Sequence, residues 1–301
     1  DLDTAAPAHQ LVDALFGTGL TRGLAAPAAA RLGELAGAAD HVHAVDLPSG
    51  IATDDGVILS PVPHYDICIS LGQWKRAHML RPAAATWDRM VCCDIGIEAP
   101  GATVHRLVRP RLSAPAADAH KYTRGLVAVV AGEMAGAAAL SATAAARGGA
   151  GYVRLLGAQA IVDTPHAIVR ASLRDEAALA DRRVAALLIG PGLGRSDASR
   201  DKLAAALAHG HAAVLDADAL WHLADIGFDC LPERAILTPH AGEFARLFPD
   251  VQGTVIDQAL EGARRSGAVL LLKGPVSVVA APDGRAFVGD RATSWLSTAG
   301  T

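Results

Sequence analysis

The run Asp13-Ala-Leu-Phe-Gly17-Thr18-Gly19-Leu20-Thr21-Arg22-Gly23 passes from an apolar stretch into a glycine-rich turn. Gly17 and Gly19 would let backbone approach a phosphate closely, and Arg22 could add charge. The same spacing also suits an ordinary turn between a strand and a helix. Asp46-Leu-Pro48-Ser49-Gly50 follows another apolar run. It sets a carboxylate and a hydroxyl where open α/β sheets bind ligands, although Asp46 alone could be a turn or cap residue.

Denser motifs follow. His120-Lys121-Tyr-Thr-Arg-Gly125 leads into an apolar run, and Gly136-Ala137-Ala-Ala-Leu140 begins a stretch of small residues. Such residues let a helix lie close to a strand or a ligand, and close packing alone would also explain them. Ile189-Gly190-Pro191-Gly192-Leu193-Gly194 has the form of a loop over a ligand between a strand and a helix. Asp216 and Asp218 place two carboxylates after a strand, where they could help organise magnesium, one of them serving instead as a helix N-cap. Thr238-Pro239-His240-Ala-Gly242-Glu243 offers an imidazole and a carboxylate, and Lys273-Gly274-Pro275-Val276-Ser277 a lysine with a hydroxyl four residues on. The only lysines are Lys75, Lys121, Lys202 and Lys273, all other basic residues being arginine. Lysines retained in so arginine-rich a chain are candidates for point-charge work on phosphates, with Lys273 the best placed.

Alternating strands and helices must position these groups. Strand-like runs are Leu11–Phe16, Val42–Leu47, Tyr65–Ser70 and Met90–Ile95, then Leu126–Ala131, Tyr152–Leu156, Val184–Ile189, Ala213–Asp216, Ala235–Thr238 and Ala268–Lys273. The spacing predicts helices over Pro27–Ala39, Gly136–Arg147, Asp197–His209 and Ile256–Ser266. Runs apolar on both faces, alternating with helices, imply parallel sheets covered by helices. The proline-rich stretch from Pro100 to Ala119 is the expected linker between two α/β units. A net charge of −4 and a pI near 6.3 argue against a nucleic-acid partner. No stretch approaches the ~18 uninterrupted apolar residues of a membrane span, and the first residues lack a signal peptide's basic and apolar regions. Cys68, Cys92, Cys93 and Cys230 contain no C-x-x-C pair and are expected to be buried, reduced thiols of a cytoplasmic protein.

Together, the Asp13–Gly23 and Val45–Gly50 motifs, the Lys75-Arg-Ala-His78 segment and Asp94-Ile-Gly-Ile resemble the NAD(P)H-hydrate epimerase family. That resemblance implies a Rossmann-like αβα sandwich over residues 1–110, interconverting the R and S epimers of hydrated NADH and NADPH. Asp13 and Ser49 would be ligands of a potassium ion (K+), and Gly17 to Gly23 would cradle the dinucleotide phosphates. Asp46 would contact the substrate ring as the catalytic residue. The family's Asn-Asn-Gly-Gly-Asp-Gly loop, expected upstream of Asp13, does not occur in this sequence.

From His120 onward the ordered set His-Lys-x-x-x-Gly, Gly-Pro-Gly-Leu-Gly, Asp-Ala-Asp-Ala-Leu, Thr-Pro-His-x-Gly-Glu and Lys-Gly-x-x-Ser resembles the ADP-dependent NAD(P)H-hydrate dehydratases. That resemblance implies a ribokinase-like α/β domain over residues 111–301, with ADP and Mg2+ as cofactors. Ala137, Gly192, Gly194 and His240 would bind the hydrated dinucleotide. Lys273, Gly274, Pro275, Val276, Ser277 and Gly300 would bind the adenine nucleotide. The family's catalytic base is the Asp of a Gly-Thr-Gly-Asp turn, and the sequence stops at Thr301, two residues before it. The expectation is therefore a chain truncated at both ends of a bifunctional repair enzyme, acting on small molecules and homo-oligomeric. Two alternatives stand beside it: a small-molecule kinase of the ribokinase fold, and a non-catalytic nucleotide-binding protein.

Overall fold

The computed structural model describes residues 2, 4–98, 101–157, 164–172 and 176–289, in two compact units that part between Arg106 and Leu107. In the first unit β1 (Gln10–Asp13), β2 (His41–Val45), β3 (Tyr65–Leu71) and β4 (Trp87–Cys93) form an all-parallel sheet in the order β1-β2-β3-β4. Helix α1 (Ala26–Gly37) links β1 to β2. Pro27 sits in its first turn, where a missing N–H costs nothing, and Leu32, Leu35 and Ala36 bury one face. Val42, Ala44, Leu47, Tyr65, Cys68 and Trp87 fill the core. A short strand, β5 (Val104–Arg106), also belongs to this unit.

The second unit contains β6 (Leu126–Val130), α2 (Ala135–Arg147), β7 (Tyr152–Leu156), β8 (Val169–Ala171), α3 (Glu176–Leu179) and β9 (Val184–Ile189). After them come α4 (Asp197–Leu207), β10 (Ala213–Leu215), α5 (Asp218–Ile226), β11 (Ala235–Leu237), α6 (Ala241–Leu247), α7 (Val255–Ser266), β12 (Val269–Leu272) and β13 (Ser277–Ala280). The strands lie in the order β13-β12-β11-β10-β9-β6-β7-β8, parallel except for β12 with β13. The chain runs outward from β6 through β7 and β8, then returns to the other flank of β6 as β9. The strand order therefore reverses between β6 and β9, and ligands of open parallel sheets bind outside the carboxyl ends at such a reversal.

Each strand and helix expected from the pattern is present, most with ends moved by a few residues. The apolar pattern does not mark helices α5 and α6, and only the cap reading of Asp216 and Asp218 points to α5. They are short and begin directly on the Asp216–Asp218 and His240 motifs, so their apolar periodicity has little length in which to appear. The expected carboxylate N-cap of α5 is also corrected: its N-cap is Ala217, at φ +49°, with no side-chain hydrogen bond. By contrast α7 is capped as its sequence suggests. Thr254 and Asp257 satisfy each other's backbone N–H, and Gly267 closes the helix in the left-handed conformation. The cysteine expectation holds only in part. All four thiols are free, but Cys93 and Cys230 are exposed and Cys92 is half-buried. Strand β4 is the edge of its sheet, which opens its alternate side chains; Cys68, in the middle strand, is fully buried and its thiol is pushed up to about 12 by burial.

Gly190 shows how tightly the reversal is packed. It has φ +126°, and a Cβ there would fall on the carbonyl oxygen of Asp216. Gly190→Ala is expected to destabilise the second unit by more than the roughly 1–3 kcal/mol of backbone strain alone. Chemical unfolding followed in this unit checks it, and an unchanged midpoint would contradict that packing.

Candidate functional site

In the first unit, the carboxyl ends of β1 and β2 meet around Asp13. Its carboxylate is 1% exposed and accepts hydrogen bonds from the Ser49 hydroxyl (2.6 Å), Ser49 N (2.9 Å) and the Tyr65 hydroxyl (2.6 Å). Ser49 Oγ in turn accepts from Phe16 N at 3.0 Å and stands 3.3 Å from the Phe16 carbonyl. Tyr65 was not singled out in the sequence. It stands in a strand core as an ordinary aromatic would, and only its buried hydroxyl shows its second role. Burial and the adjacent Asp13 charge push its pKa up.

Asp46 lies beside the turn. It has φ +66°, unusual for a residue other than glycine, and is held on several sides. Its Oδ1 accepts from Leu71 N (3.2 Å) and pairs with the Lys75 ammonium, which also donates to the Leu71 carbonyl (2.8 Å). Its Oδ2 faces the Gly17 backbone, where a Cβ would come within 3.0 Å. Gly19 N donates to Thr53 Oγ1 (3.1 Å), and Thr18, Gly19, Thr21 and Arg22 are exposed. Gly23 answers to packing, because a Cβ there would collide with the Leu59 carbonyl. Leu20 is half-buried at the same turn.

His78 supports Asp46 from behind. Its Nδ1 accepts from Lys75 N (3.0 Å) and its Nε2 lies 2.7 Å from the Asp46 carbonyl, which sets a neutral ring carrying hydrogen on Nε2. Burial, partly opposed by the hydrogen bond to Asp46, holds its pKa below the ordinary histidine value. Above an unfolded pKa of about 6.5 the neutral ring carries no penalty. As pH falls below that value the unfolded chain takes up a proton that the folded ring resists, so stability is lost toward the depressed folded pKa. Urea unfolding between about pH 7.5 and 5.5 should therefore show a shallower stability loss in His78→Gln than in the wild-type protein. Equal slopes would mean that His78 is not a source of the acid sensitivity.

In the second unit, the loops after β6 and β9 meet at the reversal of strand order. Met134 N donates to the Gly192 carbonyl (2.9 Å) and Glu133 N to the Leu193 carbonyl (3.3 Å). A Cβ on Gly192 would meet Met134 and Ala137, and one on Gly194 the Glu133 carboxylate. These buried glycines are thus required for loop-on-loop packing, which brings Ala137 against Gly192. Gly194 N donates to Asp218 Oδ2 (3.0 Å), Arg195 Nε to Asp218 Oδ1 (3.1 Å), and His222 Nε2 lies 3.0 Å from the Gly194 carbonyl.

The ends of β10, β11 and β12 carry the rest. Lys273 Nζ pairs with Asp216 Oδ1 at 2.7 Å, and Lys273 N donates to the Pro239 carbonyl at 2.8 Å. Lys273 is therefore neither a loose surface lysine nor a free cation. Gly274 and Ser277 close the turn between β12 and β13, Ser277 Oγ donating to the Gly274 carbonyl at 3.2 Å, with Pro275 exposed and Val276 buried. His240 caps α6, its Nδ1 accepting from Gly242 N (3.0 Å) and Glu243 N (3.3 Å). Lys121, another of the rare lysines, lies over the rings of Tyr122 and Tyr152. Gly300 lies outside the described residues. Arg195, Trp221 and Arg246, which line a hollow with His240, were not singled out in the sequence, since none belongs to a local chemical pattern. Among the described residues no helix is long and apolar enough to cross a membrane, and no group of three or more His, Cys, Asp or Glu could hold a metal ion.

Comparison with known proteins gives two family matches. A model described as NAD(P)H-hydrate dehydratase matches residues 127–301, and one described as YjeF-related protein N-terminus matches residues 1–77. The bifunctional NAD(P)H-hydrate repair enzyme of Mycobacterium tuberculosis is 37% identical over 290 residues, covering 91% of this chain and 59% of its own length. That of Gloeobacter violaceus is 36% identical over 328 residues, covering 96% and 63%. The chain thus spans about three fifths of the length of these curated relatives. A solved ADP/ATP-dependent NAD(P)H-hydrate dehydratase from Bacillus subtilis, co-crystallised with ATP and Mg2+, is 29% identical with a TM-score of 0.53, covering 63% of this chain and 72% of its own. A ribokinase-like superfamily protein from Enterococcus faecalis has a TM-score of 0.55 at 21% identity, covering 66% and 75%, and speaks for the fold alone.

Proposed function

The chain belongs to the NAD(P)H-hydrate dehydratase family, and from that membership we propose that it repairs hydrated NADH and NADPH in two coupled steps. Residues 1–110 belong to the half that interconverts the R and S epimers, and residues 111–301 to the half that dehydrates the S epimer at the expense of ADP. One arrangement carries the second half of this reading. Ala137, Gly192, Gly194, His240 and the Lys273–Ser277 turn all stand at the carboxyl edge of one parallel sheet, the first three beside its reversal of strand order.

The ring hydroxyl of the hydrate is a poor leaving group. Transfer of the terminal phosphoryl group of ADP onto that oxygen forms an O–P bond, breaks the bond to AMP and releases the hydroxyl proton. Elimination then expels phosphate together with a proton from the neighbouring ring carbon and restores the dihydronicotinamide. Such chemistry depends mainly on positioning and charge neutralisation. Ala137, Gly192, Gly194 and His240 orient the hydrated dinucleotide, while Lys273 and the Gly274–Ser277 backbone hold the nucleotide phosphates, with Gly300 as a further contact. In the epimerase half, Gly17 to Gly23 receive the dinucleotide phosphates and Asp46 handles the proton of the ring.

The cation assignments are part of the same proposal. Asp13 Oδ1, Ser49 Oγ and the Phe16 carbonyl converge from two segments, a set of hard oxygens that suits K+ in kind. A K+ ion there would supply positive charge beside the glycine turn, Asp13 and Ser49 giving up hydrogen bonds to hold it. Mg2+ would arrive with the nucleotide, bound chiefly through phosphates and water, with Asp216 and Asp218 after β10 as the carboxylates that could help organise it. A cytoplasmic homo-oligomer accords with this reading.

The deciding experiment offers the full-length protein hydrated NADH with ADP, K+ and Mg2+, and follows recovery of NADH. Hydroxymethyl-pyrimidine with ATP is the comparison. Recovery with release of AMP and phosphate supports the reading, and phosphorylation of the pyrimidine without NADH recovery would replace it with a small-molecule kinase.

A further inference from the structure

At the carboxyl ends of β10 and β11 a hollow of about 190 Å³ is lined by Arg195, Trp221, His240, Glu243 and Arg246. A water's share of liquid is about 30 Å³, so the hollow has room for roughly six waters, or for a phosphate group with part of its sugar. Its lining is rich in donors. The Arg246 guanidinium lies 4.5 Å from the centre of the Trp221 ring and that of Arg195 5.5 Å, so one indole backs both cations. Each is only partly engaged: Arg246 Nη2 holds Asp225 (3.0 and 3.2 Å), and Arg195 Nε holds Asp218. Among the described residues the remaining guanidinium nitrogens have no hydrogen-bond partner. With Nδ1 of His240 accepting backbone N–H groups, a neutral ring carries its hydrogen on Nε2. The one carboxylate in the lining, Glu243, is already occupied. Its Oε2 accepts from His240 N (2.9 Å), and its Oε1 stands 3.6 Å from His240 Nε2.

We infer that this hollow is a phosphate subsite for the hydrated dinucleotide, with Arg195 and Arg246 as its ligands and Trp221 as the plate that holds them. The inference rests on the dehydratase reading, because His240 belongs to both. Planar guanidinium forks suit phosphate oxygens, and an aromatic backing keeps the forks in place. Two phosphate sources are available on such a substrate: the pyrophosphate of both hydrates, and the 2′-phosphate that only hydrated NADPH carries.

The test measures kcat and KM for both hydrates at saturating ADP in the wild-type protein, Arg195→Gln, Arg246→Gln and Arg246→Lys. Thermal melting of each variant serves as the folding control. A rise in KM of roughly tenfold or more in the glutamine variants, with kcat little changed, is the expected result; Arg246→Lys should fall between. A rise for both hydrates assigns the hollow to the pyrophosphate, and a rise for hydrated NADPH alone assigns it to the 2′-phosphate. Unchanged KM for both hydrates in folded variants overturns the subsite, as does a fall in kcat without a change in KM. Calorimetry with NADP+ at saturating ADP separates this outcome from failure of the functional reading. Arginine-dependent NADP+ binding by a protein that turns over neither hydrate keeps the subsite and removes the reading. Turnover with arginine-independent KM does the reverse.

Discussion

Asp46→Asn is expected to slow interconversion of the R and S hydrates by roughly 10²–10⁴-fold, the range for loss of a general acid–base group. The isosteric amide can still accept from Leu71 N, so the local turn should persist while proton transfer is lost. Asp46 Oδ2 faces the Gly17 backbone, whereas Oδ1 is committed to Leu71 N and Lys75. Only one oxygen is thus left toward the proposed substrate turn. Side chains of Asp46 and Lys75 are 15% and 17% exposed, so the amide leaves a largely buried ammonium without its counter-charge. Breaking such a pair costs about 3–5 kcal/mol, which makes unfolding the rival explanation for lost activity. The double variant Asp46→Asn, Lys75→Met removes both charges and should recover much of the stability without the activity. Chromatographic resolution of the epimers, alongside a melting curve, reads both effects. An Asp46→Asn protein that equilibrates the epimers at the wild-type rate would remove Asp46 from the chemistry. Dehydration of the pure S epimer should continue in either variant, since Asp46 lies in the other unit.

Lys273→Met should weaken ADP binding by about 1.5–3 kcal/mol, the range for hydrogen bonds to charged groups. The Asp216 partner adds to the expected loss. With Lys273 removed, a 30% exposed carboxylate stands unneutralised at the end of β10, where the nucleotide phosphates are proposed to lie. Like charges then oppose each other, so part of the lost affinity should return in Lys273→Met, Asp216→Asn. Calorimetry with ADP on the wild-type protein, both single variants and the double variant gives the coupling directly. Unchanged ADP affinity in folded Lys273→Met would leave this lysine only the partner of Asp216. The result also bears on lysine scarcity as a signal: Lys75 and Lys273 each reach a carboxylate at a strand end, whereas Lys121 rests on aromatic rings.

Much of the fold was legible because the chain repeats one physical pattern. Apolar runs such as Leu126–Val130, buried over nearly the whole strand, are continuous rather than alternating. Helix α7 announces itself by its Thr254–Asp257 box, its buried Ile256, Ala259 and Ala263, and Gly267 after its end. Helix α6 has seven residues and no such length, so only its N-cap, His240, stands out in the sequence, and it does so as a chemical group. Glycine motifs were found readily but their reasons were mixed. Gly17 leaves space toward Asp46, whereas Gly23, Gly190 and Gly194 are required by neighbouring protein atoms.

By itself the sequence determined the alternation of elements, the order of the motifs and the chemical types available at each strand end. These are local properties, set by periodicity, turn chemistry and residue identity over a few positions. Only the tertiary structure decided which of those groups meet. Tyr65 reaches Asp13 across 52 positions of chain, and Lys273 reaches Asp216 across 57. Arg195, Trp221 and Arg246 share a hollow although each comes from a different element. Such meetings follow from strand order and register, which depend on the joint burial of many side chains. A carboxylate or guanidinium carries no local mark of the partner that burial will bring to it.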